Sequence, residues 1–315
     1  MKLKFKIQQY QTDAVESVIN VFKGQPNQAN LEYRMDKGKL YVVDSKKHDI
    51  KFVQTDVFAD NDDAGNNLGY KNNRLAMDKV ALFDNIRQIQ TDNNIHQDEE
   101  LCQKLGACQL DVEMETGTGK TYVYIKTMFE LNKQYGWTKF IVVVPSIAIR
   151  EGVLKSLESM QEHFAQEYGK RMQYFMYNSK QLSKIDAFAS DAGMHVMIIN
   201  TQAFNASMDE EKSTDKMEKG KLKKADKAAR IIFERRDEFG SRRPIDVLAQ
   251  THPIMIIDEP QSVLGVDKKN KTRKGIAMFK PLFTLLYSAT HRKGDIYNMV
   301  YKLDAIDAYN QKLVK

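Results

Sequence analysis

The sequence lacks any apolar run long enough to cross a membrane. A transmembrane helix needs about 20 predominantly apolar residues, and no stretch of this chain approaches that length. The opening segment MKLKFKIQQYQ has lysines where a secretory signal peptide would have its apolar core. We therefore expect a cytoplasmic protein with no membrane partner.

Cysteine is also scarce. The 315 residues include 2 cysteines, Cys102 and Cys108. Two cysteines are too few for a disulfide framework, and their separation lacks the paired spacing of a zinc site. The sequence therefore predicts two reduced thiols without a catalytic or metal-binding role.

A strong excess of charge of one sign is missing as well. The chain has 48 Lys and Arg against 42 Asp and Glu, which gives a net charge of +6. This mild basicity permits a polyanionic partner through attraction to its phosphates, but it does not require one. Charge alone does not point to a nucleic acid.

The sequence does contain a series of short apolar runs separated by stretches with helical periodicity. These runs are QLDVEM at 109–114, FIVVV at 140–144, QYFMY at 173–177, HVMIIN at 195–200, IMIID at 254–258 and LLYS at 285–288. Buried parallel strands have this composition, and helices connect them. The pattern predicts an α/β domain with a mostly parallel central sheet and helices on both faces.

The first 25 residues predict a strand and then an amphipathic helix. Apolar residues alternate with lysines over residues 2–7, which is the period of a half-buried strand. Ala14, Val18 and Phe22 then recur at helical spacing.

Two polar segments interrupt the apolar pattern. Residues 26–99 are rich in turn-forming residues and predict an insertion with small strands. Residues 205–243 are dominated by Lys, Glu, Asp and Arg, and they form either a solvated surface insertion or an arm that contacts DNA. We expect the main domain over residues 100–300 and a linker to a further domain over residues 301–315.

The strongest local motif is METGTGKT at 114–121, between an apolar run and a helical stretch. This is the strand, loop and helix context of a phosphate-binding loop. Gly117 and Gly119 allow backbone N–H groups to turn toward phosphate oxygens at the positive end of the following helix. The predicted nucleotide-binding residues of the loop are Thr116, Gly117, Thr118, Gly119, Lys120 and Thr121.

Two side chains of this loop have specific predicted roles. Lys120 would reach the β- and γ-phosphates of ATP, and the Thr121 hydroxyl would bind Mg²⁺. The motif departs from the general pattern, because Met114 stands where the first glycine belongs. A chance glycine-rich turn is the alternative, and the strand and helix on either side argue against it.

Two carboxylates follow the run PIMIID. Asp258 and Glu259 begin DEPQ at the C-terminal edge of a buried strand, where open α/β sheets bind their ligands. Asp258 would bind the Mg²⁺, and Glu259 would orient or deprotonate the attacking water. An isolated Asp-Glu pair also suits a helix N-terminus. With the phosphate loop, it predicts Lys120, Asp258 and Glu259 as the catalytic residues.

A third motif, SAT at 288–290, closes another apolar run. METGTGKT, DEPQ and SAT, in this order and each after a strand, resemble motifs I, II and III of superfamily 2 helicases and translocases. The resemblance implies a RecA-like P-loop NTPase domain with ATP and Mg²⁺ as cofactors. It also implies that Gln261, Ser288 and Thr290 couple the nucleotide state to a neighbouring domain. Gln11 matches a glutamine that contacts adenine, although an exposed helix glutamine is the alternative.

The resemblance also extends to two segments that touch the nucleic-acid backbone. VVVPSIAIREG resembles the first, and its Ser146 and Arg150 are suited to phosphate contacts. INTQAF resembles the second, with Asn200 and Thr201 as candidates. Asn and Thr also favour turns, so these two residues alternatively cap the end of a strand.

METGTGKTYVY, KFIVVVPSIAIREGVLK, DEPQ and LDAIDAY together resemble the restriction subunit of type III restriction-modification enzymes, over residues 1–22 and 100–310. This resemblance implies an ATP-driven motor on double-stranded DNA with a DNA methyltransferase subunit as its partner. A second RecA-like domain and a nuclease domain would lie outside this chain. We therefore expect a fragment that binds ATP better than it hydrolyses it and that does not cut DNA.

Three other functions fit parts of the pattern. A helicase of a DNA-repair or type I restriction system would carry the same three motifs. A non-hydrolysing nucleic-acid-binding module would have no need of Lys120, Thr121, Asp258 and Glu259. A small-molecule kinase would use the same loop but would not need SAT or the two segments that contact the backbone.

Overall fold

The computed structural model describes residues 5–35, 40–43, 50–53, 68–203, 230–264, 271–290 and 298–313. The helices are α1 Gln9–Val21, α2 Lys79–Asp92, α3 Lys120–Tyr135, α4 Ile147–Tyr168, α5 Ser183–Ser190, α6 Pro244–Gln250, α7 Pro260–Val263, α8 Lys271–Met278 and α9 Ala305–Asn310. The strands are β1 Leu31–Arg34, β2 Leu40–Val43, β3 Ile50–Val53, β4 Leu68–Lys71, β5 Gln109–Met114, β6 Lys139–Val144, β7 Gln173–Met176, β8 His195–Asn200, β9 Ile254–Asp258, β10 Thr284–Ser288 and β11 Asn298–Leu303.

A 7-stranded sheet organises the domain, in the order β11-β5-β10-β9-β6-β8-β7. Neighbouring strands pair in parallel throughout this sheet. All six apolar runs of the sequence form strands in it, which confirms the predicted α/β, RecA-like P-loop fold. Because β10 lies between β5 and β9, the ends of those two strands are about 10 Å apart. The fold thus brings the three motifs to one edge.

Both faces of the sheet are buried in hydrophobic cores. Val142 and Val144 of β6 face the core shared with α1, α2 and α3, whereas Ile141 and Val143 face the core shared with α5 and α6. Each fully buried Val or Ile side chain contributes about 1.5–3 kcal/mol to stability. Burial on both faces explains why the strands are continuous apolar runs rather than alternating ones.

The N-terminal prediction is partly wrong. Residues 1–4 lie outside the described part of the chain, and residues 5–8 have no regular structure, so the described half of the predicted strand is absent. Phe5 packs against the Tyr122 ring, with centroids 6.1 Å apart, and Ile7 is exposed. A β-strand forms only where a neighbouring strand pairs with it, and an alternating apolar pattern does not show whether such a partner exists. The amphipathic helix is confirmed as α1.

The predicted small strands within residues 26–99 are present. β1 pairs antiparallel with β4, and β2 pairs antiparallel with β3. The end of β4 is attached to the main sheet by Asn72, whose side-chain oxygen accepts hydrogen bonds from the N–H groups of Thr138 and Lys139 at 2.8 and 3.0 Å. The β1–β4 pair is therefore fixed to the N-terminal edge of the main sheet, opposite the edge that holds the motifs.

Helix α2 is a difference from the predicted insertion, because it packs in the main core. Its Leu82 and Ile86 are fully buried beside α1. Leu82, Ile86 and Ile89 recur at helical spacing, but they lie in a largely polar, turn-rich segment, which favoured its interpretation as an insertion. The N-terminus of α2 is capped by the Asp78 carboxylate, which accepts a hydrogen bond from the Ala81 N–H at 2.8 Å.

The second polar segment and the C-terminus also differ from expectation. Within residues 205–243, positions 205–229 are not described, whereas Ile232 and Phe239 are buried in the core beside α6. The many charged residues around them led to the prediction of a solvated segment or an arm, in which buried core residues were not expected. The predicted linker begins at residue 301, yet β11 continues to Leu303 and pairs with β5. Among the described helices, none is long and apolar enough to cross a membrane.

Candidate nucleotide-binding site

Three strand ends form the candidate site. β5 leads into the loop 115–119, β9 ends at Asp258 and β10 ends at Ser288. The strand register aligns Ser288 with Glu113 of β5 and Tyr287 with Asp258 of β9. The predicted phosphate loop, carboxylate pair and SAT motif therefore lie side by side at the C-terminal edge of the sheet.

The loop has the backbone geometry of a tight anion-binding turn. Gly117 and Gly119 have φ angles of 85° and 91°, in the left-handed region that favours glycine. The Thr118 N–H donates to the Glu115 carbonyl at 3.2 Å, which closes the turn. α3 follows directly, so its free N-terminal N–H groups and its positive dipole end face the loop. The geometry suits a phosphate chain.

Helix α1 contacts this loop through two side chains. The Gln11 amide and the Tyr10 hydroxyl each donate a hydrogen bond to the Thr118 carbonyl at 2.9 Å. Gln11 is buried, so it is not the exposed helix residue of the alternative interpretation. Its contact with adenine stays a prediction. Tyr10 was not predicted, and its position beside Gln11 in QQYQ was the one available indication.

Lys120 lies between the end of β5 and the DEPQ motif. Its ammonium group lies 3.2 Å from Oε1 of Glu259 and donates to the Met114 carbonyl at 3.4 Å. The side chains of Lys120 and Glu259 are 12% and 26% exposed, so the ion pair is partly shielded from water. Met114, which replaces the first glycine of the general motif, is the buried last residue of β5.

Asp258 has the surroundings of a cation ligand. Burial and the adjacent Glu259 charge raise the pKa of this carboxyl and Lys120 lowers it, so that the pKa is about 6. Burial also raises the pKa of Tyr124; the nearby Asp258 charge adds to that rise, and the neighbouring Thr121 side chain opposes it. Asp258 and Thr121 both lie near Tyr124. Their carboxylate and hydroxyl oxygens fit Mg²⁺, which prefers oxygen ligands and is usually bound by one or two carboxylates together with phosphates.

Glu259 has an unusual backbone conformation. Its φ is 53°, in the left-handed region, and Pro260 follows it as the first residue of α7. Such a conformation costs a non-glycine residue about 1–2 kcal/mol, and strained backbone of this kind is enriched at active sites. The Glu259 N–H donates to the Tyr287 carbonyl at 2.9 Å, which fixes the turn against β10.

The predicted coupling residues form a chain of hydrogen bonds from this glutamate. The Gln261 amide N–H donates to Oε2 of Glu259. The Ser288 hydroxyl lies 2.8 Å from the Gln261 amide oxygen and 2.7 Å from the Thr290 carbonyl oxygen, and its single proton can be donated to either of them. The Thr290 N–H donates to the Ser288 hydroxyl oxygen at 3.3 Å. The structure therefore connects DEPQ and SAT through side chains, with Gln261 between them.

The first predicted DNA-contacting segment begins α4. Ser146 is the N-cap, and its hydroxyl oxygen accepts a hydrogen bond from the Ile149 N–H at 3.3 Å. Arg150 forms an ion pair of 3.6 Å with Glu151. Both residues follow β6, on the same sheet edge as the nucleotide site but separated from the phosphate loop by β10 and β9.

The second predicted DNA-contacting segment is tied to the first. The Thr201 hydroxyl donates to the Pro145 carbonyl at 3.2 Å, and the Asn200 amide donates to Gln202 at 3.3 Å. Asn200 and Thr201 are buried, with 5% and 8% exposure. They stabilise the turn after β8, as the strand-cap alternative predicts, and their contact with DNA stays a prediction.

Neither cysteine belongs to the site. Both thiols are free, and burial raises the pKa of Cys102 and Cys108, which keeps them protonated near neutral pH. In the part of the chain that the structure describes, His, Cys, Asp and Glu side chains form no group of three or more suited to a metal ion. A cation at the nucleotide site would therefore depend on phosphate oxygens for part of its shell.

Comparison with known proteins gives a consistent family match. Residues 4–293 match the family model described as "Type III restriction enzyme, res subunit". The chain is 33% identical over 258 residues to the Res subunit of the type III restriction-modification enzyme EcoP15I from Escherichia coli, covering 78% of this chain and 24% of that protein. It is 31% identical over 259 residues to the EcoPI Res subunit from Escherichia phage P1, with the same coverages of 78% and 24%.

The chain thus spans about a quarter of the length of these curated relatives. Among solved structures, it is similar to the Sulfolobus solfataricus SWI2/SNF2 ATPase core in complex with dsDNA. That similarity covers 69% of this chain and 32% of the other, at 12% identity and a TM-score of 0.36. A score this low carries no argument about the function.

Proposed function

The chain belongs to the family of type III restriction enzyme res subunits, and on this premise we propose that it is the ATP-binding and ATP-hydrolysing motor domain of a DNA-cleaving subunit. The observation that carries the proposal is the meeting of the glycine loop, Lys120, Asp258 and Glu259 at one sheet edge, where Lys120 and Glu259 are 3.2 Å apart. Phosphoryl transfer depends mainly on positioning and charge, and these residues supply both.

Each residue has a distinct part in the proposed reaction. Backbone N–H groups of the loop and of the first turn of α3 hold the phosphate chain. Lys120 leaves Glu259 and binds the β- and γ-phosphates, which frees the Glu259 carboxylate to orient or deprotonate the attacking water. Asp258 and Thr121 hold Mg²⁺, which when bound neutralises charge that develops on the phosphates.

The chain from Glu259 through Gln261 to Ser288 supports a coupling role. A change in the position of Glu259 on ATP binding must be passed to Gln261 and Ser288, because hydrogen bonds connect them. We propose that these hydrogen-bonded side chains transmit the nucleotide state to a second RecA-like domain outside residues 1–315. Movement or switching along DNA is the proposed outcome.

The proposed partners follow from the family. The relatives are subunits of restriction-modification enzymes, so we propose double-stranded DNA and a DNA methyltransferase subunit as partners, and the cytoplasm as the location. Ser146 and Arg150 at the start of α4 are the proposed backbone contacts, because a helix N-terminus and an arginine both favour phosphate. DNA cleavage is assigned to a nuclease domain outside this chain.

Nucleotide binding tests the proposal directly. A fluorescent ATP analogue with Mg²⁺ is titrated into the protein and into its Lys120→Ala variant, first alone and then with duplex DNA. Loss of a charged contact to phosphates is worth about 3 kcal/mol, which is about 100-fold in affinity. Lys133→Ala is the matched control, because Lys133 lies in the last turn of the same helix and is exposed.

The outcomes separate the parts of the proposal. A loss in Lys120→Ala with no change in Lys133→Ala supports the nucleotide site, and tighter binding with DNA supports the motor. No binding by the unaltered protein, or equal binding by Lys120→Ala, would rule out the assignment of the loop. If duplex DNA does not change the affinity for the ATP analogue even at low salt, the nucleotide site is retained but the proposed action on DNA is contradicted.

A further inference from the structure

One carbonyl of the phosphate loop carries two side-chain donors. The Thr118 carbonyl accepts from the Tyr10 hydroxyl and from the Gln11 amide, each at 2.9 Å. The same amide also donates to the Tyr10 hydroxyl oxygen at 3.4 Å. Both lone pairs of the carbonyl are therefore used, and the three groups form a closed hydrogen-bonded ring between α1 and the loop.

This arrangement fixes the direction of the next N–H group. A trans peptide unit is planar, and its C=O and N–H bonds point in opposite directions. Because the Thr118 carbonyl points to α1, the Gly119 N–H points away from α1. That side is where the phosphates lie in the proposed function.

The loop needs such an anchor because its own backbone does not hold this peptide. Gly117 and Gly119 flank Thr118, and glycine adopts positive and negative φ with similar ease. The Thr118–Gly119 peptide could therefore rotate and turn its carbonyl, rather than its N–H, toward a phosphate. A carbonyl oxygen there would repel the anion.

We propose that Tyr10 is a positioning residue for nucleotide binding, whose hydroxyl, together with Gln11, holds the Thr118–Gly119 peptide so that the Gly119 N–H faces the β-phosphate. The inference rests on the proposed function and adds to it a residue that acts through the loop rather than through the base. Burial raises the pKa of Tyr10, so the hydroxyl keeps the proton that it donates.

The absence of a side chain at Gly119 is consistent with the same role. A Cβ atom at this position would lie 2.5 Å from the Gln11 side-chain nitrogen. A side chain at residue 119 would therefore push the Gln11 amide away from the Thr118 carbonyl, and glycine leaves room for this hydrogen bond. At Gly117, by contrast, no atom lies within 4 Å of such a Cβ.

Removal of the single Tyr10 oxygen tests the proposal. The Tyr10→Phe variant is compared with the unaltered protein in two assays: direct titration of the fluorescent ATP analogue with Mg²⁺, and its displacement by ATP or by inorganic tripolyphosphate. One hydrogen bond is worth about 0.5–1.5 kcal/mol, so we expect affinity to fall about 2- to 12-fold. ATP and tripolyphosphate should lose affinity by the same factor, because the loop binds only phosphates.

A matched control is available in the same helix pair. The Tyr135 hydroxyl, on α3, donates to the Ile19 carbonyl of α1 at 2.9 Å, far from the loop. Tyr135→Phe removes the same group and the same kind of hydroxyl-to-carbonyl bond, in this case between α1 and α3 rather than between α1 and the loop. It should leave both affinities unchanged, and unfolding in urea measures how much stability each variant loses.

Four results would overturn the inference. The first three are a Tyr10→Phe protein with unaltered affinity, a loss for ATP without a loss for tripolyphosphate, and an equal loss in Tyr135→Phe. Failure of tripolyphosphate to compete would also contradict it, because a preset loop must bind phosphates by themselves. Failure of the proposed function is distinguishable, since the unaltered protein would then bind no ATP or Lys120→Ala would bind it equally well.

Discussion

Replacement of Glu259 by glutamine should strengthen ATP binding while it removes hydrolysis. In the structure the Glu259 carboxylate lies 3.2 Å from the Lys120 ammonium group. ATP must break this pair before Lys120 can reach its phosphates, and the carboxylate also repels them. Glu259→Gln keeps the size of the side chain and an oxygen that can still accept from Gln261, but it removes the charge.

The magnitude follows from the contact that ATP has to displace. A hydrogen bond to a charged group is worth about 1.5–3 kcal/mol, and partial exposure of this pair places it at the lower end. We therefore expect about tenfold tighter binding of ATP. Loss of the water-activating carboxylate should lower the hydrolysis rate about 10²- to 10⁴-fold.

Equilibrium titration with the fluorescent ATP analogue measures the first effect, and phosphate release in the presence of duplex DNA measures the second. Glu130→Gln is the control, because it removes one negative charge from α3 near Lys133, away from the loop. Equal or weaker ATP binding by Glu259→Gln would refute the reasoning that Lys120 is held by this ion pair. Unchanged hydrolysis would refute the role of Glu259.

Three further predictions concern other parts of the domain. Gly119→Ala should weaken ATP binding more than Gly117→Ala in the same titration. Both variants carry the left-handed backbone cost of about 1–2 kcal/mol, but at residue 119 the Cβ would also displace the Gln11 amide, 2.5 Å away, from the Thr118 carbonyl; equal losses would contradict this. Burial lowers the pKa of Lys139 to about 8 from 10.5, so between these pH values the unfolded chain holds a proton that the folded protein does not, and stability rises with pH. Urea unfolding should show the stability of Lys139→Met falling relative to the unaltered protein by up to about 3 kcal/mol across this window, and a constant difference would exclude it. Arg150→Ala should reduce the slope of log affinity for duplex DNA against log salt by about 1, and an unchanged slope would remove Arg150 from the contact.

Much of the fold could be predicted because its causes are local along the chain. The six apolar runs became parallel strands, since strands buried on both faces need apolar residues on both. The phosphate loop could be predicted as well, because the glycines, Lys120 and Thr121 occupy consecutive positions at a strand-to-helix junction. Asp258 and Glu259 likewise directly follow a buried strand.

The incorrect predictions share a physical cause, which is that a residue's neighbours decide its burial. Alternating residues near Phe5 suggested a strand, but pairing needs a partner edge, and the ring packs on Tyr122 instead. Helix α2 lies in a polar segment, yet Leu82 and Ile86 suffice to bury one of its sides. Ile232 lies within the charged segment 205–243, yet it is fully buried in the core beside α6.

By itself, the sequence determined which chemical groups are present and at which strand ends they lie, because apolar runs and glycine turns act over a few residues. Only the tertiary structure decided which of these groups meet. It placed β10 between β5 and β9, joined Lys120 to Glu259, and joined Gln11 to Thr118 across 107 positions of the chain. Burial specifies that a strand is inside the protein but not which strand lies beside it, and strand order follows from the packing of all the helices and strands together.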